Sequence, residues 1–211
     1  ERRTRTKLPT RAEVKEALTE KLSAMQAEGI VPDVITFAGN GEPTMHPEFE
    51  GVIEDTIATR DRFCPNGKIA VLSNSTLLHK EGVFRALNKI EDNILKLDSV
   101  LDSRIQQLNA PNSPAFTFDK LLGQLCRFEG NLIIQTMFLK GEVNGESVDN
   151  TTEVEITGWL EALKQIKPKQ VMIYTIDRET PLKGLKKVSK EALDAIADRA
   201  RKEGFDVTVS Y

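Results

Sequence analysis

Five short stretches carry side chains able to do chemistry, and each falls in or just after a run of strand-forming residues. Asn40-Gly41-Glu42 follows residues 34–38, and Ser73-Asn74 follows residues 68–72. Lys96 stands inside the apolar run 94–97, with Asp98 just after it. Gln135 interrupts the run 131–138, and Tyr174, Asp177 and Arg178 follow from the run that starts at Gln170. In α/β folds the carboxyl ends of parallel strands are where ligands bind. Lys96 is the hardest of the set to explain structurally. An unpaired ammonium inside a buried strand is costly, and Asp98, two residues on, shares its face and can pair with it. Gln135 is likewise out of place in an apolar strand. Each residue also has an innocent reading, since Ser and Asn favour turns and caps, Asp98 can cap a helix, and Glu42 can cap the next turn.

The elements that must position these residues alternate between helix and strand. A helix over about 10–28 opens with Thr10 and Glu13 spaced as a capping box, and Val14, Leu18, Leu22 and Met25 recur at helical spacing. The run 34–38 is too apolar to alternate, which predicts burial on both faces. Gly39 and Gly41 end it, and Pro43 and Pro47 stiffen the loop and leave no helix between them. Further helices are predicted over about 49–60, 77–90, 103–108, 117–128, 153–166 and 188–202. Strands are predicted at 68–72, 94–97, 131–138, 170–174 and 206–209. Residues 140–150 read as a long polar loop, a lid or substrate loop, and 177–184 as a second substrate-choosing loop. This order predicts an α/β fold with parallel strands whose ends share one rim.

Composition narrows the function classes. The net charge of −3 does not advertise a nucleic-acid surface, and no apolar run reaches membrane-spanning length. Residues 1–9 are basic and read as a linker ahead of one domain filling 1–211. Cys64 and Cys126 are far apart and match no metal-ligand spacing, so a cytoplasmic chain with reduced thiols is expected. Cys64 reads as a loop thiol and Cys126 as helix packing. His46 reads as a loop or cap residue rather than a base. No phosphate loop, dinucleotide fingerprint or Ser/His/Asp triad is visible.

The run Phe37-Ala38-Gly39-Asn40-Gly41-Glu42-Pro43-Thr44-Met45-His46-Pro47 resembles the second-strand motif of radical S-adenosylmethionine (radical SAM) enzymes. In that family a Gly-Gly-Glu binds the methionyl amino group of the cofactor. Gly41 and Glu42 match, and Asn40 departs from the first glycine. Ser73-Asn74-Ser75 is similar to the family's third strand end. Lys96-Leu97-Asp98 resembles the fourth, where polar residues reach the cofactor's ribose or carboxylate. Gln135 and the stretch from Tyr174 to Pro181 look like fifth- and sixth-strand positions. The nearest branch resembles the iron–sulfur oxidoreductases, close to the wyosine-synthesis and molybdenum-cofactor enzymes.

The resemblance implies a partial (β/α)6-type, TIM-like barrel that binds S-adenosyl-L-methionine through Asn40, Gly41, Glu42, Ser73, Asn74, Lys96, Asp98, Gln135 and Tyr174. Asp177 and Arg178 would meet the substrate. It also implies a four-iron–four-sulfur cluster, an electron donor such as flavodoxin or ferredoxin, and a small-molecule or macromolecular substrate. The family's CxxxCxxC is not in these 211 residues. The expectation is therefore a chain without the first strand and cluster loop, holding no metal and inactive alone. Two other readings stay open: a noncatalytic α/β module binding a nucleotide or partner on the same rim, and a lyase using Lys96 as a Schiff-base nucleophile.

Overall fold

The computed structural model describes residues 8–38, 41–109, 111, 115–143, 145–177 and 184–211. They fall into two compact units. One takes the residues up to Leu72 together with His79–Asp92, and the other takes Ser73–Leu78 and Asn93–Tyr211.

The first unit begins with α1 (Arg11–Ala27), and its capping box is present as the spacing predicts: Glu13 N donates to Thr10 Oγ1 at 3.2 Å, and Thr10 N donates to Glu13 Oε2 at 2.6 Å. β1 (Val34–Phe37) runs parallel to β2 (Lys68–Ser73), with Val34 opposite Lys68 and Phe37 opposite Val71. β1 is not buried on both faces. Val34 and Thr36 are exposed, and Ile35 and Phe37 half-buried, so its apolar run does not signal a core strand. Pro43–Met45 forms a short 3-10 turn where no helix was expected, because Pro43 sits at its first position and needs no N–H there.

Two charged belts hold the helices of this unit. α2 (Phe49–Phe63) accepts a forked bond from Arg11 on Asp55, at 2.7 and 3.1 Å. α3 (Glu81–Asn88) returns the same fork from Arg85 to Glu50, at 2.8 and 2.7 Å. A Cβ on Gly51 would lie 2.3 Å from the Arg11 guanidinium, so a side chain there would displace the arginine from its fork on Asp55. Cys64 is a loop thiol as read from the sequence, lying just past α2 as its C-cap, and it is fully buried. α3 is shorter than predicted, because Ser75 has φ 66° and the chain turns before Glu81.

The second unit holds four parallel strands: β3 (Asp92–Lys96, counted from Asn93 on), β4 (Ile133–Met137), β7 (Gln170–Tyr174) and β9 (Val207–Ser210). Between them run α4 (Asp102–Asn109), α5 (Phe118–Cys126), β5 (Leu139–Val143), β6 (Glu146–Asp149), α6 (Glu153–Ile166), β8 (Leu185–Lys187) and α7 (Lys190–Lys202). Leu95, Ile134, Val171 and Val207 stand in register and are buried. On this face Trp159 of α6 donates to Thr136 at 2.9 Å and meets Phe138 edge-on at 5.5 Å. Lys96, Gln135, Met172 and Thr208 stand in register on the opposite face, which is only partly covered.

The predicted loop 140–150 is instead a hairpin. β5 pairs antiparallel with β6 on one side and with β8 on the other, making a small sheet that follows directly from the ends of β4 and β7. Leu139, Val143 and Val148 bury its inner side against Leu108, Met137, Ile176 and Leu185. Among the described residues no helix is long and apolar enough to cross a membrane.

Candidate functional site

The motif loop of the first unit forms around Glu42. Its Oε1 accepts from Thr44 N at 3.1 Å and from Thr44 Oγ1 at 2.6 Å, so the carboxylate caps the short 3-10 turn. His46 closes the same loop. Its Nε2 donates to Pro9 O at 2.8 Å while Nδ1 accepts from Glu48 N at 3.1 Å, a pattern that requires the neutral ring protonated at Nε2. His46 is therefore a clasp, in agreement with its sequence reading. Gly41 and Glu42 line a groove of about 640 Å³ with the apolar side chains of Val14, Phe37, Met45 and Phe49. Asn40 lies outside the described residues.

The second unit gathers Lys96, Asp98 and Tyr174 on its open strand face. Lys96 Nζ is 3.5 Å from Asp98 Oδ2 and 5.5 Å from the centre of the Tyr174 ring, and its side chain keeps 25% exposure. Burial opposes its charge, but Asp98 and the Tyr174 phenol outweigh that and raise its pKa above the ordinary lysine value. The ammonium is thus held charged. The pairing of Lys96 with Asp98 is the one their spacing predicts.

Asp98 itself is spent within the protein. Its side chain is 1% exposed. Oδ1 accepts from Met137 N at 2.9 Å, and Oδ2 accepts from Asn109 Nδ2 at 2.8 Å. Its role is to fix the ammonium and two strand ends. Gln135, half-buried, stands in register between Lys96 and Met172. Asp177 is exposed beyond β7, and Arg178 lies outside the described residues.

The turn after β2 is built by its own polar side chains. Ser73 is buried and accepts from Ser75 N at 3.1 Å. Asn74 is exposed, and its Oδ1 accepts from Thr76 N at 3.0 Å and Thr76 Oγ1 at 2.7 Å. Ser75, between Asn74 and Thr76, takes a left-handed φ, and among the described residues its buried hydroxyl has no hydrogen-bond partner. Strain of this kind costs of order 1–3 kcal/mol and tends to collect at functional sites.

Three residues that support the site were not singled out in the sequence. Asn109, Asn150 and Glu155 lie far from Asp98 in the chain and reach its surroundings only on folding. Asn150 Nδ2 donates to Asp98 O and Met137 O, both at 2.7 Å, and its Oδ1 accepts from Leu139 N at 2.8 Å. Glu155, 2% exposed in the first turn of α6, accepts from Ser99 Oγ at 2.7 Å and Val100 N at 3.0 Å. Burial pushes its carboxyl up, and the bonds from Val100 and Ser99 and the charge of Arg104 only partly counter this. One signal was legible in the sequence: Asn144-Gly145 is a dipeptide favoured in tight hairpins, and Val143 and Glu146 on either side of it are strand partners.

The residues do not fit an iron–sulfur cluster. Among the described residues no three His, Cys, Asp or Glu side chains converge as metal ligands. Cys64 is buried at the end of α2, and burial raises its thiol pKa, against the thiolate a metal needs. Cys126 is half-buried in α5.

With this geometry, the chain has the fold of the radical SAM enzymes. A radical SAM methyltransferase from Sphaerobacter thermophilus aligns with a TM-score of 0.72 at 16% identity, covering 98% of this chain and 59% of that one. SuiB of Streptococcus suis, solved bound to S-adenosylmethionine, aligns with a TM-score of 0.68 at 12% identity, over 100% of this chain and 45% of that one. The α/β, radical-SAM-like fold that the strand-end motifs predict is therefore the one found. In sequence, a UPF0026 protein of Synechocystis sp. is 31% identical over 155 residues, which is 71% of this chain and 52% of that protein. The chain spans about half the length of the curated relatives it matches. No family model matches it.

Proposed function

We propose that this chain is the S-adenosyl-L-methionine-binding core of a radical enzyme. The observation that carries the reading is Lys96: a charged ammonium kept on the open face of parallel strands, at the carboxyl end of β3, in a fold shared with radical SAM enzymes. A partly buried cation of this kind is held against its desolvation cost by pairing or by an anionic ligand. In this reading Lys96 meets the carboxylate or ribose of the cofactor, Tyr174 and Gln135 flank it, and Asp98 positions it without touching the ligand. Gly41 and Glu42 carry the motif by which the family binds the methionyl ammonium. Asn40, Ser73 and Asn74 are assigned to the cofactor by the same resemblance, and Asp177 and Arg178 to the substrate.

The described cysteines cannot hold the cluster that would start radical chemistry, so in this proposal its thiolates come from outside these 211 residues. Bound S-adenosylmethionine would supply a 5′-deoxyadenosyl radical once reduced. The protein's own part is to bind, orient and seclude it. Flavodoxin or ferredoxin as electron donor, and the substrate, follow from the family reading alone. A Schiff-base role for Lys96 is disfavoured, because such a nucleophile needs a neutral amine and Asp98 holds this one protonated.

Calorimetric titration with S-adenosylmethionine tests the proposal on the chain as it stands. Lys96→Met should weaken binding by roughly tenfold, the scale of one charge-assisted hydrogen bond. Undetectable binding to the wild-type chain, or equal binding by the variant, would remove Lys96 and the cofactor from this face.

A further inference from the structure

The small antiparallel sheet carries a feature that the cofactor reading does not use. Lys140 of β5 and Lys186 of β8 are direct cross-strand partners. Both line a groove of about 670 Å³, which does not include Leu139 and Val143, the buried residues with which Lys140 alternates along β5. Like charges directly opposite in an antiparallel pair repel, and sheets ordinarily avoid them. Here the register cannot slip to relieve them. A Cβ on Gly141 would lie 2.2 Å from Gly184 O, and one on Gly184 would lie 2.7 Å from Glu142 O. Both glycines have positive φ, 138° and 106°, so the close approach of β5 and β8 depends on them.

Charge compensation within the groove is partial. Lys140 reaches Asp149 Oδ2 only at 3.9 Å, while Asp149 Oδ1 is engaged by Thr151 N and Oγ1, both at 2.7 Å. Among the described residues Lys186 makes no ion pair. Among the described lining residues Glu142 is the other acid, and it is exposed.

We propose that Lys140 and Lys186 form an anion subsite that takes a phosphate or carboxylate group of a ligand. The strand register holds the two lysine backbones opposite each other beside the groove, so their exposed ammonium groups can converge on one anion there. An anion seated between them also removes their mutual repulsion. The ligand is small or extended, since the groove of about 670 Å³ is lined by three short strands, β5, β6 and β8. Glu142 limits the affinity and so provides an internal control. The site is independent of the S-adenosylmethionine reading, because it uses none of the residues assigned to that cofactor.

The test is a low-salt NMR titration of the whole chain with pyrophosphate in one arm and citrate in the other, following the backbone amides of Gly141, Glu142, Ser147 and Lys186. Saturable shifts confined to this groove support the site, and the arm that saturates identifies phosphate, carboxylate or both as the ligand chemistry. Lys186→Gln should weaken binding by about threefold to fivefold, as expected for loss of one exposed charge contact. The pair Lys140→Gln and Lys186→Gln together should abolish it, and Glu142→Gln should tighten it by about twofold to threefold. The lysine variants should melt at or slightly above the wild-type temperature, which separates lost binding from lost folding. Absence of saturation in both arms, or saturation unchanged in the double variant, overturns the proposal.

Discussion

Replacing Asn150 with alanine should be among the most damaging single changes in the second unit, although Asn150 is a polar residue at the end of a hairpin. Its amide is 1% exposed and closes three hydrogen bonds at once, to the carbonyls of Asp98 and Met137 and to the N–H of Leu139. Alanine leaves a buried carbonyl, a part-buried carbonyl and a buried N–H without this partner. At about 1–1.5 kcal/mol for each group left unsatisfied, the loss is about 3–4.5 kcal/mol. For a chain of this length that lowers the melting temperature by roughly 6–18 °C.

Urea denaturation gives the total, and hydrogen exchange at the Leu139 amide tells whether the loss is global or confined to fraying of the small sheet. Asn150→Asp provides the control. At neutral pH it keeps an acceptor for Leu139 but turns an oxygen toward two carbonyl oxygens, so it should be no better than alanine. In acid the protonated side chain can donate one bond again and recover part of the loss. A cost for Asn150→Ala under about 1 kcal/mol, with Leu139 exchange unchanged, would show that these bonds do not hold the strand ends together.

Three further outcomes are expected. Burial raises the Glu155 pKa, so the stability its proton contributes is complete below the unfolded carboxyl value and is lost as pH rises through the folded one. The stability difference between wild type and Glu155→Gln should therefore move in favour of Gln as pH rises above the ordinary carboxyl range, and a pH-independent difference in urea midpoints would contradict the burial argument. Glu42→Gln retains an acceptor oxygen for Thr44 and should leave the melting temperature nearly unchanged. In calorimetry it should weaken S-adenosylmethionine binding by roughly tenfold to a hundredfold; normal binding with an early melt would make Glu42 a structural cap only. Gly141→Ala forces a Cβ to 2.2 Å from Gly184 O at a left-handed φ, and should cost at least about 2 kcal/mol, seen as lost exchange protection in β5 and β8. Intact protection there would mean that the β5–β8 approach is not fixed.

The sequence by itself determined the alternation of helix and strand and the pairing of Lys96 with Asp98. These depend on short-range physics. Apolar periodicity, a capping box at Thr10 and Glu13, and the same-face spacing of residues 96 and 98 act within a few residues of chain. The small sheet was harder to read, because Lys140, Gly141 and Glu142 look like a polar loop when only β5 is considered. Their alternation becomes visible once Leu139, Val143 and Val148 have an apolar partner in Met137, Leu108 and Leu185.

Burial of β1 was misread for the complementary reason: an apolar composition states what a strand can bury, and only packing states what it does bury. Tertiary structure alone decided that Asp98 is consumed by Met137 and Asn109, that Asn150 joins the ends of β3 and β4, and that two lysines 46 positions apart face each other. Each of these is a contact between distant segments. Its energy depends on a low-dielectric setting and a strand register that exist only after the chain has closed.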